Sequence, residues 1–289
     1  MATASQANRP TPPIGHQIQA GDLKLHCVEA GPEGAPPLVL LHGASGNLRD
    51  MTLSLLGPLS ASRRAIAFDR PGFGYSEAAP VRPWSLAAQV AVLRAGLLAL
   101  GVERYALVGH SYSGALVLDW ALTHPEEVTG LGILGGATMD WGGALSPHYR
   151  LLSAPILGTL IANAVPRVIG ERTLARLAAS IFAPQEMPPR YVEAGGVDLA
   201  LRPESFRLNA RQLDSLWPQI KHNQPRYREI TCPVEIVHGQ ADRIVPARIH
   251  AERLVERLPD ARLTLLEGIG HMPHHAAPRR IAEVLLRLP

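Results

Sequence analysis

The chain has 289 residues, of which 46% are hydrophobic and 18% are charged, so it contains enough apolar sequence for one large core. Its formal net charge of +3 at pH 7 comes without runs of Lys or Arg, so the charge does not point to a nucleic acid or an anionic membrane as partner. The two cysteines, Cys27 and Cys232, are far apart and lack metal-ligand spacing, which argues against a disulfide framework and favours a reducing compartment.

Residues 1–13 are rich in Ala, Thr, Gln and Pro, and they lack the apolar core that a secretory signal needs. We predict that they form a flexible N-terminal tail. The sequence also has no run of about 18 apolar residues, the length that a membrane-spanning helix requires. These two observations predict a cytoplasmic protein without a membrane partner.

A hairpin and a buried strand are predicted next. Polar and apolar residues alternate through 17–19 and 23–28, on either side of a turn at Gly21-Asp22, and this pattern predicts a β-hairpin. The continuous apolar run 38–41 then predicts a strand that is buried on both faces, as in a parallel sheet. It ends in the loop His42-Gly43-Ala44-Ser45-Gly46-Asn47, after which no Gly-Lys-Ser/Thr of a phosphate-binding loop follows.

A strand and a helix come after this loop. The apolar run 65–68 predicts a strand that leads into Asp69-Arg70-Pro71-Gly72-Phe73-Gly74-Tyr75-Ser76. Apolar residues at helical spacing over 86–100 predict a helix that ends at Gly101. Because strands and helices alternate, we predict a parallel sheet with right-handed crossovers.

The stretch Gly109-His110-Ser111-Tyr112-Ser113-Gly114 lies between an apolar strand pattern and an apolar helical pattern. Such a tight junction forces its middle residue into a strained backbone conformation and exposes Ser111 at its tip. The backbone N–H of Tyr112, at the start of the helix, would face any negative charge that develops beside the Ser111 oxygen. The pattern therefore suggests a nucleophile, although a serine that only caps a helix would also fit it.

The pattern changes between residues 140 and 229. A strand predicted at 131–134 is followed by nine prolines, which lie between short helical patterns such as 173–182 and match no strand–helix unit. Strand patterns return at 234–238 and 262–266. We predict one helix that starts at Pro246 and a closing helix that starts after Pro278.

Asp242 and His271 each follow the carboxyl end of one of these last strands, where an open parallel sheet gathers its functional residues. A serine hydroxyl is a poor nucleophile until an imidazole removes its proton, and the imidazole needs a carboxylate to fix its tautomer. We therefore predict a catalytic set of Ser111, His271 and Asp242.

These motifs resemble the α/β-hydrolase family along nearly the whole chain, in the His-Gly loop, the Asp69–Ser76 segment and the elbow around Ser111. The elbow departs mildly from Gly-x-Ser-x-Gly, because Ser113 stands in place of the last glycine. The resemblance implies a mostly parallel eight-stranded sheet flanked by helices, with a core of residues 14–139 and 230–289. It also implies a helical cap at 140–229 and an oxyanion hole made by the N–H groups of Ala44 and Tyr112.

The activity that the resemblance implies is that of a cofactor-free serine hydrolase, which cleaves a carboxylic ester or related acyl bond of a small molecule as a monomer or homodimer. Hydrolysis of a carbon–carbon bond in ring-cleavage products is the alternative enzyme activity. A non-catalytic ligand-binding receptor on the same fold is the alternative outside enzymes. Relatives on this scaffold that use an Asp nucleophile are disfavoured by Ser111.

Other charged residues near these motifs are predicted to have structural roles, among them His42, Asp69 and Arg70. His274 and His275 lie close to His271 in sequence, but we predict no metal site there because Pro273 interrupts any helix and no acidic ligand adjoins. Asp140 is the alternative acid for His271, since some α/β-hydrolases place the acid after the strand that follows the elbow helix.

Overall fold

A computed structural model describes residues 11–143, 154 and 157–289. One sheet of eight strands runs through this part of the chain, in the order β1-β2-β4-β3-β5-β6-β7-β8. The strands are β1 His16–Ala20, β2 Leu23–Ala30, β3 Pro37–Leu41, β4 Arg64–Phe68, β5 Tyr105–His110, β6 Val128–Leu134, β7 Val234–Gly239 and β8 Ala261–Leu266. Strand β2 pairs antiparallel with β1 and β4, and all other neighbours are parallel. The predicted mostly parallel, eight-stranded sheet is thus confirmed.

The described helices are α1 Leu48–Met51, α2 Gly57–Ser60, α3 Leu86–Ala99, α4 Tyr112–Thr123, α5 Leu157–Val168, α6 Glu171–Phe182, α7 Tyr191–Ala194, α8 Pro203–Asn223, α9 Ala251–Val255, α10 Pro273–Ala276 and α11 Pro278–Leu285. A π-helical turn, Thr52–Leu56, joins α1 to α2. Two 3₁₀ segments, Val197–Leu201 and Gln224–Glu229, flank α8.

The sheet buries both of its faces. In β3, Val39 and Leu41 pack into one apolar cluster with α3 and α4, whereas Leu38 and Leu40 pack into a second cluster with α1 and α11. Alternating side chains of a strand point to opposite faces, so a run of four apolar residues is what a two-sided strand requires. This confirms the prediction of a buried parallel strand at 38–41.

The segment between β6 and β7 differs from the rest of the fold. Its described residues contain α5 to α8 and the two 3₁₀ segments, and they contain no strand. Helix α8 is long and amphipathic, and it faces the core through buried residues such as Leu208, Gln212 and Leu216. We call residues 140–229 the inserted segment, and its role as a cap stays a prediction.

Two local predictions are wrong. The helix expected at Pro246 begins only at Ala251, because residues 247–250 form turns in which the Pro246 carbonyl accepts from the N–H groups of Ile249 and His250. Pro273 does not prevent a helix, since it occupies the first position of α10, where a missing N–H costs nothing.

Residues 1–10 of the predicted tail lie outside the described residues. Thr11 donates from its N–H and hydroxyl to the Asp198 carboxylate, and Arg49 donates to the Pro12 carbonyl. The chain is therefore attached to the inserted segment from Thr11 onward. In the described part of the chain, no helix combines the length and apolar character that a membrane crossing requires.

Candidate active site

Ser111 lies between β5 and α4 in a conformation that side chains rarely adopt, with φ 52° and ψ −114°. Close packing imposes this turn. A Cβ at Gly109 would lie 2.2 Å from the Ser113 carbonyl oxygen, and one at Gly114 would lie 2.8 Å from the Gly136 Cα. Such strain costs about 1–3 kcal/mol and is typical of functional turns.

The structure brings Ser111, His271 and Asp242 together, although they are far apart in sequence. The Ser111 Oγ lies 2.9 Å from the His271 Nε2, and the His271 Nδ1 lies 2.7 Å from the Asp242 Oδ2. His271 and Asp242 are buried, whereas Ser111 is partly exposed. This chain of hydrogen bonds is the geometry by which a carboxylate orients an imidazole and the imidazole removes a hydroxyl proton.

Asp242 is held as a carboxylate by its surroundings. Burial alone would raise its pKa, but hydrogen bonds from His238, from His271 and from the backbone hold the pKa well below its usual range. Its Oδ1 accepts from the N–H groups of Ile244 and Val245, both at 2.9 Å, so only Oδ2 faces His271. The charge that a protonated His271 would carry is thereby matched by a fixed anion.

The alternative acid, Asp140, has other partners. Its Oδ1 accepts from the Gly142 N–H at 2.8 Å and from the Trp217 Nε1 at 2.6 Å. The described hydrogen bonds and ion pairs of the His271 side chain involve Asp242 and Ser111, and none involves Asp140. The geometry therefore favours Asp242 as the partner of His271.

The loop that carries Ala44 lies against the elbow. A Cβ at Gly43 would lie 3.0 Å from the Ser111 Cβ, so the backbone of the loop passes directly beside the serine. In the described part of the chain, neither the Ala44 N–H nor the Tyr112 N–H donates to an acceptor. Ala44 follows Gly43 in this loop and Tyr112 follows Ser111 directly, so both N–H groups are candidate donors to an oxyanion.

Ser113, the variant residue of the elbow, has a specific contact. Its hydroxyl donates to the His42 carbonyl at 2.6 Å and joins the elbow helix to the Ala44 loop. The His42 side chain itself faces away from Ser111, because its Nδ1 bonds the Gly43 carbonyl and its Nε2 accepts from the Arg70 N–H. Burial, followed by the charge of Arg70, lowers the pKa of His42 to about 4, so the ring is neutral at pH 7.

The inserted segment contacts both loops of the site. Asn209 of α8 accepts from the Ser45 N–H at 2.8 Å and donates to the Ser45 hydroxyl at 2.9 Å. Gln185 donates to the Gly268 carbonyl at 2.7 Å and accepts from the Gly270 N–H at 2.8 Å, directly before His271. These contacts were not predictable from the sequence, because isolated Asn and Gln residues in a polar segment normally face water.

A buried cluster behind the elbow was also not predicted. Asp50 accepts hydrogen bonds from Tyr191 at 2.7 Å, from His275 at 2.8 Å and from His274 at 3.2 Å. Burial alone would raise the pKa of Asp50, but its histidine partners hold the pKa well below its usual range. His274 and His275 thus face Asp50, whereas the Nε2 of His271 faces Ser111.

Asp50, His110 and His274 are among the described residues that could hold a metal, since their ligand atoms lie within 4.8 Å of one another. Within this set His274 bonds Asp50 at 3.2 Å, and His110 bonds the His271 carbonyl through Nε2 at 3.0 Å. The hydrogen bond of His110 connects the cluster to the backbone of His271.

A cavity of about 930 Å³ lies between the loop 72–78 and helices α5 and α8. Its lining includes Arg202, Arg207 and Arg211 together with Glu77 and Glu204, and does not include Ser111 or His271. We assign the chemistry to the Ser111 site, because that site combines a base, an oriented acid and unpaired donors.

Comparison with known proteins identifies the fold family. Residues 36–278 match the family model of the alpha/beta hydrolase fold. The chain is 29% identical over 305 residues to a 2-hydroxymuconate semialdehyde hydrolase of Pseudomonas putida, covering 96% of this chain and 95% of that protein.

Two solved structures share the fold. The 2-hydroxy-6-oxo-6-phenylhexa-2,4-dienoate hydrolase of Rhodococcus sp. strain RHA1 has a TM-score of 0.77 and 23% identity, covering 95% of this chain and 97% of that chain. A thermophilic esterase from Thermogutta terrifontis has a TM-score of 0.75 and 19% identity, covering 94% of this chain and 97% of that chain. At these identities the likeness shows the fold alone.

Proposed function

Since the chain belongs to the alpha/beta hydrolase fold family, we propose that it is a cofactor-free serine hydrolase that cleaves a carboxylic ester through an acyl-enzyme. The observation that carries this proposal is the continuous hydrogen-bond chain from Ser111 through His271 to Asp242, with distances of 2.9 and 2.7 Å. In the described part of the chain, His271 is the only base within hydrogen-bond distance of the Ser111 Oγ.

The proposed reaction has two halves. His271 takes the hydroxyl proton of Ser111 while the serine oxygen attacks the ester carbonyl, and the N–H groups of Ala44 and Tyr112 hold the resulting oxyanion. The tetrahedral intermediate collapses as His271 returns the proton to the leaving alcohol. Water then loses a proton to His271, attacks the acyl-serine and releases the acid, and the proton returns to Ser111.

Replacement of the nucleophile tests the proposal. With a soluble p-nitrophenyl butyrate, we expect Ser111→Ala to lower kcat by about 10⁴-fold or more, because the base then has no hydroxyl to activate. Ser180→Ala is the matched control, since Ser180 is an exposed serine of the inserted segment. A Ser111→Ala variant with near-native turnover would exclude Ser111 as the nucleophile.

A second candidate activity is hydrolysis of a carbon–carbon bond. The 29% identical relative is named for the hydrolysis of 2-hydroxymuconate semialdehyde, a compound that has no ester. In this reaction the leaving group takes its proton on carbon instead of on an alcohol oxygen. We favour the ester because His271, which lies 2.9 Å from the Ser111 Oγ, can return the serine proton directly to a leaving alcohol.

A direct comparison of the two substrates distinguishes these activities. We expect kcat/KM for the butyrate ester to exceed that for 2-hydroxymuconate semialdehyde. The reverse order would make the carbon–carbon bond the substrate, with the same serine. Specific binding of either compound without turnover would instead indicate a receptor.

A further inference from the structure

We propose that Arg70 is a positioning residue for the oxyanion, because its buried cation orients and polarises the peptide group between Gly43 and Ala44. The inference rests on the proposed function, since it requires that negative charge develops beside the Ala44 N–H. It differs from the structural role that the sequence predicts for Arg70. Four observations support it.

The first observation is the contact between the guanidinium and the loop. Arg70 is fully buried, and its Nη2 donates to the Gly43 carbonyl oxygen at 3.1 Å. The same oxygen accepts a second hydrogen bond, at 2.8 Å, from the His42 Nδ1. The His42 Nε2 accepts from the Arg70 backbone N–H, so the ring proton is on Nδ1. The carbonyl end of this peptide is therefore fixed by one cationic and one neutral donor.

The second observation concerns the opposite end of the same peptide. The bond from Gly43 to Ala44 is trans, and in a trans peptide the N–H points away from the carbonyl oxygen. Donors on the oxygen withdraw charge from the amide and make its N–H a stronger donor, as in any chain of hydrogen bonds. A Cβ at Gly43 would lie 3.0 Å from the Ser111 Cβ, so this peptide passes beside the serine, and the inference requires that its strengthened N–H faces the reacting oxygen.

The third observation is that, in the described part of the chain, Arg70 has no anion beside it. Its Nη1 donates to the amide oxygens of Gln89 at 2.8 Å and Gln212 at 2.7 Å, both of which are neutral. Among the described residues, no carboxylate oxygen lies within 4.0 Å of the Arg70 guanidinium, the distance that defines an ion pair. Burial lowers the pKa of the guanidinium to about 10, which leaves it charged at neutral pH.

An unpaired buried cation is costly for folding, and an apolar side chain of similar size is often tolerated or stabilising at such a site. A purely structural role therefore gives little reason for a charge here. An anionic intermediate formed near Gly43 would supply the missing negative charge only during the reaction. That is the condition for selective stabilisation of a transition state.

The fourth observation involves the other predicted donor, Tyr112. Its ring lies 4.4 Å from the centre of the guanidinium, and its hydroxyl accepts from the Gln89 Nε2 at 3.0 Å. Gln89 in turn accepts from Arg70. Arg70 thus contacts the peptide that carries the Ala44 N–H and also the side chain of Tyr112, the residue of the other predicted donor.

The test replaces the charge with an apolar side chain. We expect Arg70→Met to lower kcat for the butyrate ester about 10- to 100-fold with KM within about threefold, because the loss falls on an oxyanion donor. The affinity for a trifluoromethyl ketone, which forms a tetrahedral adduct with Ser111, should fall by the same factor. Arg70→Lys, which keeps the charge, should restore part of both losses.

Arg63→Met is the matched control, because Arg63 is also buried and also donates to backbone carbonyls, at Pro289 and Leu288, away from the site. We expect it to change stability and not kcat. A folded Arg70→Met with kcat within about twofold of the parent would overturn the inference. So would a lower kcat with unchanged affinity for the ketone, which indicates a structural role.

If Arg70→Met does not fold, Gln212→Glu gives a second test. It places a carboxylate on the Arg70 Nη1 and neutralises the cation in place, at the cost of the bond from the Gln212 Nε2 to the Pro83 carbonyl. We expect lower kcat and lower ketone affinity, and unchanged values would overturn the inference. Failure of the proposed function appears separately, as a Ser111→Ala variant that retains turnover.

Discussion

Replacing Asp242 with Asn should invert the tautomer of His271. The Oδ1 of Asp242 accepts from the Ile244 and Val245 N–H groups, so the carbonyl oxygen of an asparagine would remain at that position. Its NH₂ group would then face the His271 Nδ1, which lies 2.7 Å from the present Oδ2. To accept from this NH₂, the imidazole must place its proton on Nε2, toward Ser111, where it cannot act as a base.

The size of the effect follows from this geometry. The corresponding change in a serine protease costs about four orders of magnitude in kcat, and a factor of ten corresponds to about 1.4 kcal/mol of activation free energy. We therefore expect Asp242→Asn to raise the barrier by about 5 kcal/mol. The assay is kcat on a soluble butyrate ester, with circular dichroism to establish that the variant is folded.

Asp140→Asn is the matched control. Asp140 binds Gly142 and Trp217, so its loss should change kcat by no more than about threefold. If Asp140→Asn is inactive and Asp242→Asn keeps most activity, the acid has been assigned to the wrong carboxylate.

Three further predictions follow from the same contacts. Ser113→Ala leaves the buried His42 carbonyl without its donor and should lower the free energy of unfolding in urea by about 1–3 kcal/mol, and an unchanged value would exclude that bond as a stabilising contact. The depressed pKa of Asp242 adds stability that is fully present above its unfolded pKa and is lost as pH falls. Lowering the pH from 6 to 3 should therefore reduce the free energy of unfolding by about 1 kcal/mol more in the parent than in Asp242→Asn, and equal losses would contradict this. If the inserted segment bounds the pocket, soluble butyrate esters should be hydrolysed faster than emulsified long-chain lipids, and the opposite order would contradict this.

The positions of Ser111, Asp242 and His271 were predictable because each follows the carboxyl end of a strand whose apolar pattern is clear. Parallel strands place these ends at one edge of the sheet, so residues that are distant in sequence meet there. Distances and tautomers need the structure, since the two backbone bonds to the Asp242 Oδ1 cannot be inferred from strand patterns.

The wrong and missing predictions have a different origin. Residues 247–250 have a helical apolar pattern, yet they form turns in which the His250 Nδ1 accepts from the N–H groups of Thr138 and Met139. A tertiary contact therefore overrides local preference. Asp50 is similar, because its partners Tyr191, His274 and His275 are more than 100 residues away in sequence.

Arg70 illustrates a third case. Its sequence context predicts a structural role, and its contacts with Gln89, Gln212 and Gly43 come from three separate parts of the chain. Nothing in the sequence indicates that Arg70 contacts neutral groups instead of a carboxylate, or that its guanidinium is fully buried. The charge imbalance on which its proposed role rests exists only in the folded protein.

The central claim is that Ser111 forms a covalent acyl-enzyme. The most direct measurement is an acid quench of the protein during turnover of p-nitrophenyl acetate, followed by intact-mass and peptide mass spectrometry. The mechanism predicts one added acetyl group on the peptide that contains Ser111, and no such group in Ser111→Ala. Rapid turnover with the acetyl group on another residue, and with Ser111→Ala still active, would contradict it.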